Sequence, residues 1–326
     1  MKRFGALALA ALAVSGCSSR SVPSVPNEPL QQAVQRARAV SGSLRDAYYY
    51  QTQYYNNIYQ SLSPIWKHGN PATGKPYVTD LIVAAFHLGY DGNNKPYIHL
   101  NDNIPQDPMF KVMWRECEAL QDDGVTVRMM LGGAAQGSYA DLFAHWKTFY
   151  PILKSTIAQY KLDGIDLDVE ENVTLPDIER LIAQLSADFG PKFVITLAPV
   201  ATALQGGANL SGFSYDKLYK GPQGKNIAYF DAQFYSGFGS LQTPADYENV
   251  VAHGYPPDKV VAGAIDNPSD GSGYVPPATV AKTVRTLVAK YPAFGGVVGW
   301  EYFNAEPGGQ TRPDEWSAMM AKAMGL

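Results

Sequence analysis

The sequence predicts a closed (β/α)8 barrel, and three observations support this fold class. Eight strand-like runs recur along the chain, and helical stretches lie between most of them. Neighbouring strands are spaced by roughly 30–40 residues, which is typical of a βα repeat. The part of the chain that holds them, roughly 280 residues, is close to the usual size of such a barrel, about 250. A doubly wound open sheet is the alternative, but it more often carries a glycine-rich phosphate loop after its first strand, and the sequence shows none.

Each predicted strand is a short run rich in β-branched, aromatic or other apolar residues. The eight runs are 48–55, 80–86, 125–131, 164–170, 193–198, 227–235, 260–265 and 295–300. The helices predicted between them cover 107–120, 140–160, 176–189 and 277–291. Residues 46–326 are therefore predicted to form a single barrel domain.

The N-terminus has the pattern of a bacterial lipoprotein signal. Lys2 and Arg3 precede a short apolar run over residues 6–14, which is too short to cross a bilayer. The tetrapeptide VSGC at residues 14–17 looks like a lipobox, in which the cysteine is lipidated and becomes the first residue of the mature chain. We therefore expect residues 1–16 to be a signal peptide and Cys17 to carry lipid; a plain cleaved signal peptide is the alternative.

Residues 17–45 link this signal to the barrel. Their first part is rich in serine and proline and is predicted to be a tether, and residues 30–40 have a pattern that fits a short helix. We expect the protein to cross the inner membrane and to be anchored at the bacterial cell envelope, on the outer surface or in the periplasm.

Net charge, cysteine count and histidine spacing restrict the kinds of partner, disulfide and metal site that the chain can have. The net charge of −4 argues against nucleic acid. If Cys17 is lipidated, Cys117 has no cysteine partner, and its position among Met113 and Leu120 at helical spacing predicts a buried thiol. The five histidines show no metal-ligand spacing, so no metal site is predicted.

The run Asp163-Gly-Ile-Asp-Leu-Asp-Val-Glu170 is the most informative part of the chain. Its alternation is a strand pattern, so Asp166, Asp168 and Glu170 share one face of the strand. The rise of a strand places neighbouring carboxyls of this row about 6–7 Å apart along it. Because such a row cannot ionise fully without cost, at least one pKa should be raised, as a general acid requires.

Two other interpretations of this run are possible, a solvated acidic face and a calcium loop. Ile165, Leu167 and Val169 would bury the opposite face of the strand, and no lysine or arginine lies within the run. A calcium loop needs glycine at its sixth position, which is Glu171 when the count starts at Asp166. The pattern therefore favours catalysis.

Other informative residues fall at the ends of predicted strands. Barrel active sites lie at the C-terminal ends of the strands. Glu170 ends the fourth predicted strand, Gln233 and Tyr235 end the sixth, and Trp300 ends the eighth. We expect these side chains to meet at one rim of the barrel.

The chain resembles glycoside hydrolase family 18, the chitinases and endo-β-N-acetylglucosaminidases. The resemblance rests on the acidic run at 163–170 and spans most of residues 48–305. It is supported by Gly132-Gly133, Ala198-Pro199, the Gln-Phe-Tyr run at 233–235 and Trp300. The 233–235 run is similar to the plant-type and compact bacterial branch.

Two features depart from common members of that family. Met130 stands where relatives often have a serine that supports the innermost acid, so Asp166 needs another partner, for which a tyrosine of the first strand is a candidate. Only about 30 residues separate the last two predicted strands, which leaves no room for the small α+β domain of many processive relatives. The groove should therefore be shallow and open.

The resemblance implies a substrate-assisted mechanism with retention of configuration. In it, Glu170 is the general acid and base, Asp168 orients the substrate's 2-acetamido group, and Asp166 shares a proton with Asp168. Tyr235 hydrogen-bonds the acetamido oxygen, while Trp300 and Gln233 bind substrate. No metal or cofactor is needed, and a monomer is expected.

The implied substrate is a glycan that contains N-acetylglucosamine, such as chitin or chitooligosaccharides cleaved at β-1,4 linkages. An endo-β-N-acetylglucosaminidase acting on N-glycan cores is the alternative enzyme. A non-catalytic, lectin-like relative is a further alternative, although such relatives usually lose the glutamate found here as Glu170. Aromatic side chains that could stack on sugars are Tyr54, Trp66, Tyr90, Tyr139, Phe238 and Tyr274.

Overall fold

Eight parallel strands close into a barrel, as the sequence predicts. The computed structural model describes residues 44–326, so the predicted signal peptide, Cys17 and nearly all of the tether lie outside the described residues. The strands are β1 (Arg45–Tyr50), β2 (Tyr54–Tyr55), β3 (Ile58–Tyr59), β4 (Asp80–Tyr90), β5 (Pro96–Leu100), β6 (Thr126–Gly132), β7 (Gly164–Asp168), β8 (Val194–Leu197), β9 (Tyr229–Gln233), β10 (Val260–Ile265) and β11 (Gly296–Trp300). The order β1-β11-β10-β9-β8-β7-β6-β4 is closed by parallel pairing of β1 with β4.

The remaining strands decorate the barrel. β5 pairs antiparallel with the far end of β4, and β2 with β3 forms a separate hairpin. The sequence predicted one strand over 48–55, but Asn56 and Asn57 both have positive φ and turn the chain into that hairpin. The first barrel strand therefore starts earlier than predicted and ends at Tyr50.

Helices surround the barrel. They are α1 (Ser63–Lys67), α2 (Lys111–Asp122), α3 (Ser138–Ala144), α4 (Trp146–Gln159), α5 (Leu175–Phe189), α6 (Tyr215–Lys220), α7 (Ala245–Ala252), α8 (Pro277–Lys290) and α9 (Asp314–Met324). The single helix predicted over 140–160 is two helices, because His145 leaves the helical region with φ −125° and ψ 45°. The sequence analysis did not identify α1, α6, α7 and α9, of which all but α9 are short.

The strand β7 shows how the core is arranged. Ile165 and Leu167 point outward and join the apolar layer between the barrel and the helices. Asp166 and Asp168 point into the barrel, and both are buried. The alternation that the sequence predicted is thus present, and it places carboxyl groups inside the barrel.

The helical shell contains the buried thiol that the sequence predicts. Cys117 on α2 is buried as a free thiol, and burial raises its pKa, which keeps it unreactive. Within residues 44–326, no helix combines the length and apolarity that a bilayer span requires.

Gly164 offers a direct test of how tightly β7 is packed. A Cβ at this position would lie 2.2 Å from the carbonyl oxygen of Val194 on β8 and 3.0 Å from Cγ of Arg128. Gly164→Ala should therefore lower the free energy of unfolding by about 1–3 kcal/mol, measured by chemical denaturation. Gly92→Ala is the control, because a Cβ there meets nothing within 4 Å. Equal stability of the two variants would contradict this account of β7.

Candidate active site

The acidic row opens into a cavity at the C-terminal end of the barrel. The cavity has a volume of about 480 Å3. Asp166 and Asp168 lie on β7, and Glu170 follows the strand by two residues. The cavity is lined by Asp168 and Glu170 together with Met130, Gly132, Gly133, Gln233, Tyr235, Phe238 and Trp300, among others. The structure therefore brings together most of the residues predicted from the sequence, with Asp166 buried beneath them.

Asp166 receives a hydrogen bond on each carboxyl oxygen. The Tyr49 hydroxyl of β1 donates to Oδ2 over 2.8 Å, and the Thr196 hydroxyl of β8 donates to Oδ1 over 2.7 Å. Met130 lies beside Asp166 in register but offers no hydroxyl. The first-strand tyrosine suggested from the sequence is therefore Tyr49, whereas the contribution of Thr196 was not foreseen.

The pKa values of the two inner acids are raised to different extents. Burial raises the pKa of Asp166, and the Arg128 guanidinium, Thr196 and Tyr49 act to lower it. The pKa of Asp168 is raised well above its ordinary value, first by burial and then by the charges of Glu170 and Asp166. The hydrogen bonds from Tyr49 and Thr196 favour the ionised form of Asp166, whereas the neighbouring charges disfavour the ionised form of Asp168. The expectation of a raised pKa within the row is met at these two acids.

Gln233 joins the two carboxyls that line the cavity. Its Nε2 donates to Asp168 Oδ1 and to Glu170 Oε1, each over 3.2 Å, and to the Ala198 carbonyl over 2.9 Å. The sequence predicted Gln233 as a substrate-binding residue. That role stays a prediction; Gln233 lines the cavity, and its amide hydrogens are directed to these acceptors, so the side chain also holds the acids in position.

Tyr235 and Trp300 frame the cavity. Tyr235 follows β9 by two residues, and burial together with the charges of Asp168 and Glu170 raises its pKa. Its hydroxyl therefore stays protonated and can donate a hydrogen bond. Trp300 ends β11, and its ring lies 5.2 Å from that of Tyr49. This places an aromatic ring next to the acidic row, in the wall of the cavity.

A buried ionic cluster beneath the row was missed in the sequence. Arg128 on β6 forms ion pairs with Asp231 over 3.1 Å and with Asp80 over 3.7 Å, and Tyr229 donates to Asp80 over 2.9 Å. Burial raises the pKa of Asp231 to about 7, and the Arg128 charge opposes this rise. In the sequence, each of these charged residues stands within an otherwise apolar strand, and this pattern could have indicated a buried ionic cluster.

Two further acids fix the loops of the rim. Glu171 accepts hydrogen bonds from the backbone nitrogens of Gly137 and Tyr139 over 3.0 and 2.9 Å, at the start of α3. Glu301 accepts from the backbone nitrogens of Gln51 and Thr52 over 2.9 and 2.7 Å. Each carboxylate ties the loop of one strand to that of another, so both shape the cavity walls.

The groove continues beyond the acidic cavity. A second cavity of about 510 Å3 shares Gln51, His87 and Ala135 with the first. Tyr54 lines this second cavity, and Phe238 lines the first. Between β10 and β11 the chain forms only α8 and loops, so no extra domain walls the groove.

Across residues 44–326, histidine, cysteine and acidic side chains nowhere form a group of three or more that could hold a metal ion.

Asp168 makes the stability of the fold depend on pH. The folded state holds its proton more tightly than the unfolded state, so this residue costs stability as pH rises above the unfolded pKa of about 3.9. Asp168→Asn should therefore raise the free energy of unfolding by about 1 kcal/mol or more at pH 7.5, with a smaller gain at pH 4.

Thermal unfolding at the two pH values measures this effect. Asp122→Asn, at an exposed site on α2, is the control. A stabilisation by Asp168→Asn that is the same at both pH values would contradict the raised pKa of Asp168.

Similar proteins identify the family. No known protein-family profile matches the chain. One similar solved structure is a fungal endo-β-N-acetylglucosaminidase from glycosyl hydrolase family 18; it is 42% identical with a TM-score of 0.78, and the match covers 85% of this chain and 96% of that one. Another is a chitinase, ChiC, from Aspergillus fumigatus, 44% identical with a TM-score of 0.76, covering 86% of this chain and 100% of that one.

A curated relative is more distant. Chitinase 2 of Rhizopus oligosporus is 28% identical over 200 residues, or 56% of this chain, and the match spans only 34% of that relative's length. These three relatives are fungal, whereas the sequence predicted the compact bacterial type; that type and the lipoprotein signal stay predictions. The chain is 42% and 44% identical to two solved structures that it covers almost completely, and one of them is a member of glycosyl hydrolase family 18. The chain therefore belongs to that family.

Proposed function

We propose that the protein is a glycoside hydrolase that cleaves β-1,4 linkages in glycans of N-acetylglucosamine, with chitin or chitooligosaccharides as substrates. One observation carries this proposal: Gln233 holds Glu170 and Asp168 side by side in an open cavity, while burial and neighbouring charge favour the protonated form of Asp168. A protonated Asp168 is a poor nucleophile toward the sugar. The substrate's own acetamido group can supply the nucleophile instead.

In the first step, Glu170 gives its proton to the glycosidic oxygen as the bond from that oxygen to the anomeric carbon breaks. The acetamido carbonyl oxygen forms a new bond to the anomeric carbon, which gives an oxazolinium ion. Tyr235, whose hydroxyl is protonated, aligns that carbonyl oxygen, and Asp168 orients the acetamido N–H and stabilises its growing positive charge. Trp300 lies beneath the sugar.

In the second step, water attacks the anomeric carbon. The Glu170 carboxylate takes the proton of this water, and the bond from the acetamido oxygen to the anomeric carbon breaks. Two displacements at one carbon retain its configuration. The residues required are all present in the cavity, and no step uses a metal or a cofactor.

The open groove and the relatives guide the choice of substrate. One similar solved structure is titled a chitinase and another an endo-β-N-acetylglucosaminidase, so N-glycan cores are the alternative substrate. Glu170 is present and hydrogen-bonded within the site, which argues against a purely sugar-binding role. A panel of chitooligosaccharides, N-glycans and peptidoglycan fragments, with products identified by mass spectrometry, distinguishes these functions. Cleavage of N-glycans alone would contradict the proposed substrate.

Replacing Glu170 tests the proposed acid. Glu170→Gln keeps the shape of the side chain but has no acidic proton, so kcat should fall at least about 10²–10⁴-fold on chitooligosaccharides. Binding of the same oligomers, measured by calorimetry, should persist. Glu118→Gln, at a side chain that is 61% exposed, is the control and should retain full activity. Near-normal turnover by Glu170→Gln would remove this residue from the mechanism.

The N-terminus supports a proposal about location. The basic start, the apolar run and the VSGC tetrapeptide favour a chain that is lipidated at Cys17 and anchored at a bacterial envelope through the tether. Cys17→Ala should then release the full-length protein into the soluble fraction of bacterial cells. Fractionation and intact-mass measurement check this result. A wild-type chain without lipid, together with an unchanged distribution of the variant, would contradict the anchor.

A further inference from the structure

Asp166 lies between β6 and β8, and of its two neighbours in register only the one on β8 donates a hydrogen bond to its carboxylate. In register on β6 its neighbour is Met130, and in register on β8 its neighbour is Thr196. The Thr196 hydroxyl donates to Asp166 Oδ1 over 2.7 Å and itself accepts a hydrogen bond from Nη1 of Arg128. A guanidinium is thus linked to the carboxylate through one hydroxyl.

Arg128 is the one fully buried basic side chain among the described residues, and its positive charge favours the ionised form of Asp166. Its side chain is shielded from bulk solvent, so its charge acts strongly inside the barrel. Nη1 also pairs with Asp231, and Nη2 lies 3.7 Å from Asp80. Carboxyls outnumber this guanidinium, so the barrel interior cannot hold all of them ionised.

We propose that Thr196 and Arg128 are positioning residues that keep Asp166 ionised, so that it can take up the proton that the family resemblance implies it shares with Asp168 when the substrate's acetamido group becomes positive. In this transfer the O–H bond of Asp168 breaks and one forms on Asp166. Asp168 becomes a carboxylate at the moment when a negative charge beside the oxazolinium ion is needed. The inference rests on the proposed function.

The surroundings of Asp166 are consistent with this role. The titratable and charged groups that interact electrostatically with it are Tyr49, Arg128, Tyr139, Asp168, Tyr215, Asp231 and Tyr235. Asp80 and Tyr229 contact Arg128 on its other side. β10 and β11 present Val261 and Val298 to the interior. Burial raises the pKa of Asp166, and Arg128, Thr196 and Tyr49 oppose that rise; for Asp168 the neighbouring charges add to it.

Thr196→Val tests the proposal with almost no change of shape. The loss of a hydrogen bond to a carboxylate should raise the pKa of Asp166 by about one unit or more. Carboxyl ¹³C NMR, with the Asp166 signal assigned through Asp166→Asn, measures this pKa directly. The acidic limb of the kcat profile should move to higher pH by a similar amount, because the ionised form of Asp166 is the one required.

Two control variants and one substitute variant separate this role of Thr196 from an effect on packing. Thr196→Ser keeps the hydroxyl and should keep the wild-type acidic limb. Thr156→Val removes a buried hydroxyl on α4, away from the site, and should leave both the limb and kcat unchanged. Thr196→Ala repeats the titration if the valine variant does not fold.

The outcomes are distinct. A titration of Asp166 that is unchanged by removal of the hydroxyl overturns the inference, as does a loss of kcat that is uniform across pH with an unmoved acidic limb. If the wild-type enzyme cleaves none of the N-acetylated substrates, the proposed function fails and the proton transfer to Asp166 fails with it, whereas the NMR titration separately shows whether the Thr196 hydroxyl lowers the pKa of Asp166.

Discussion

The burial of a row of carboxyl groups inside a closed barrel is the constraint on which the site depends. Asp166 and Asp168 lie at alternate positions of β7 and are buried, where ionisation is costly, and Glu170 follows in the same row and lines the cavity. This cost is offset by the positive charge of a single buried guanidinium, Arg128, and by hydrogen bonds from the hydroxyls of Tyr49 and Thr196. Each acid consequently has its own environment, and different roles become possible along one row.

The same constraint explains the geometry above the row. Because Gln233 donates to both Asp168 and Glu170, the two carboxyls are held as a pair before substrate arrives. Glu301 and Glu171 hold the adjoining loops in place through backbone hydrogen bonds. A preorganised site of this kind does not need to rearrange its charges at the moment of reaction. Because no domain inserted between β10 and β11 forms a wall of the groove, the groove is open enough to receive a chain of sugars.

The sequence was sufficient to predict the barrel and the members of the acidic row, since strand periodicity and motif order are local properties. It did not predict the features that depend on backbone conformation and on contacts between residues distant in the chain. The hairpin at Tyr54–Tyr59 was merged into β1, because two asparagines with positive φ are not visible as a turn in an aromatic run. The hydrogen bond from Thr196 on β8 to Asp166 and those from Gln233 to the other two acids depend on the positions of neighbouring strands, which a single sequence does not reveal.

The central claim is that the substrate's acetamido group, and not water, attacks first. The configuration of the newly formed reducing end reports this directly, because two displacements retain the β configuration while one inverts it. We would record ¹H NMR spectra of chitooligosaccharides during the first minutes of digestion, before mutarotation mixes the anomers. The account predicts that the first product is the β anomer. An α anomer as the first product would mean direct attack by water and would contradict the roles given to Asp168 and Tyr235.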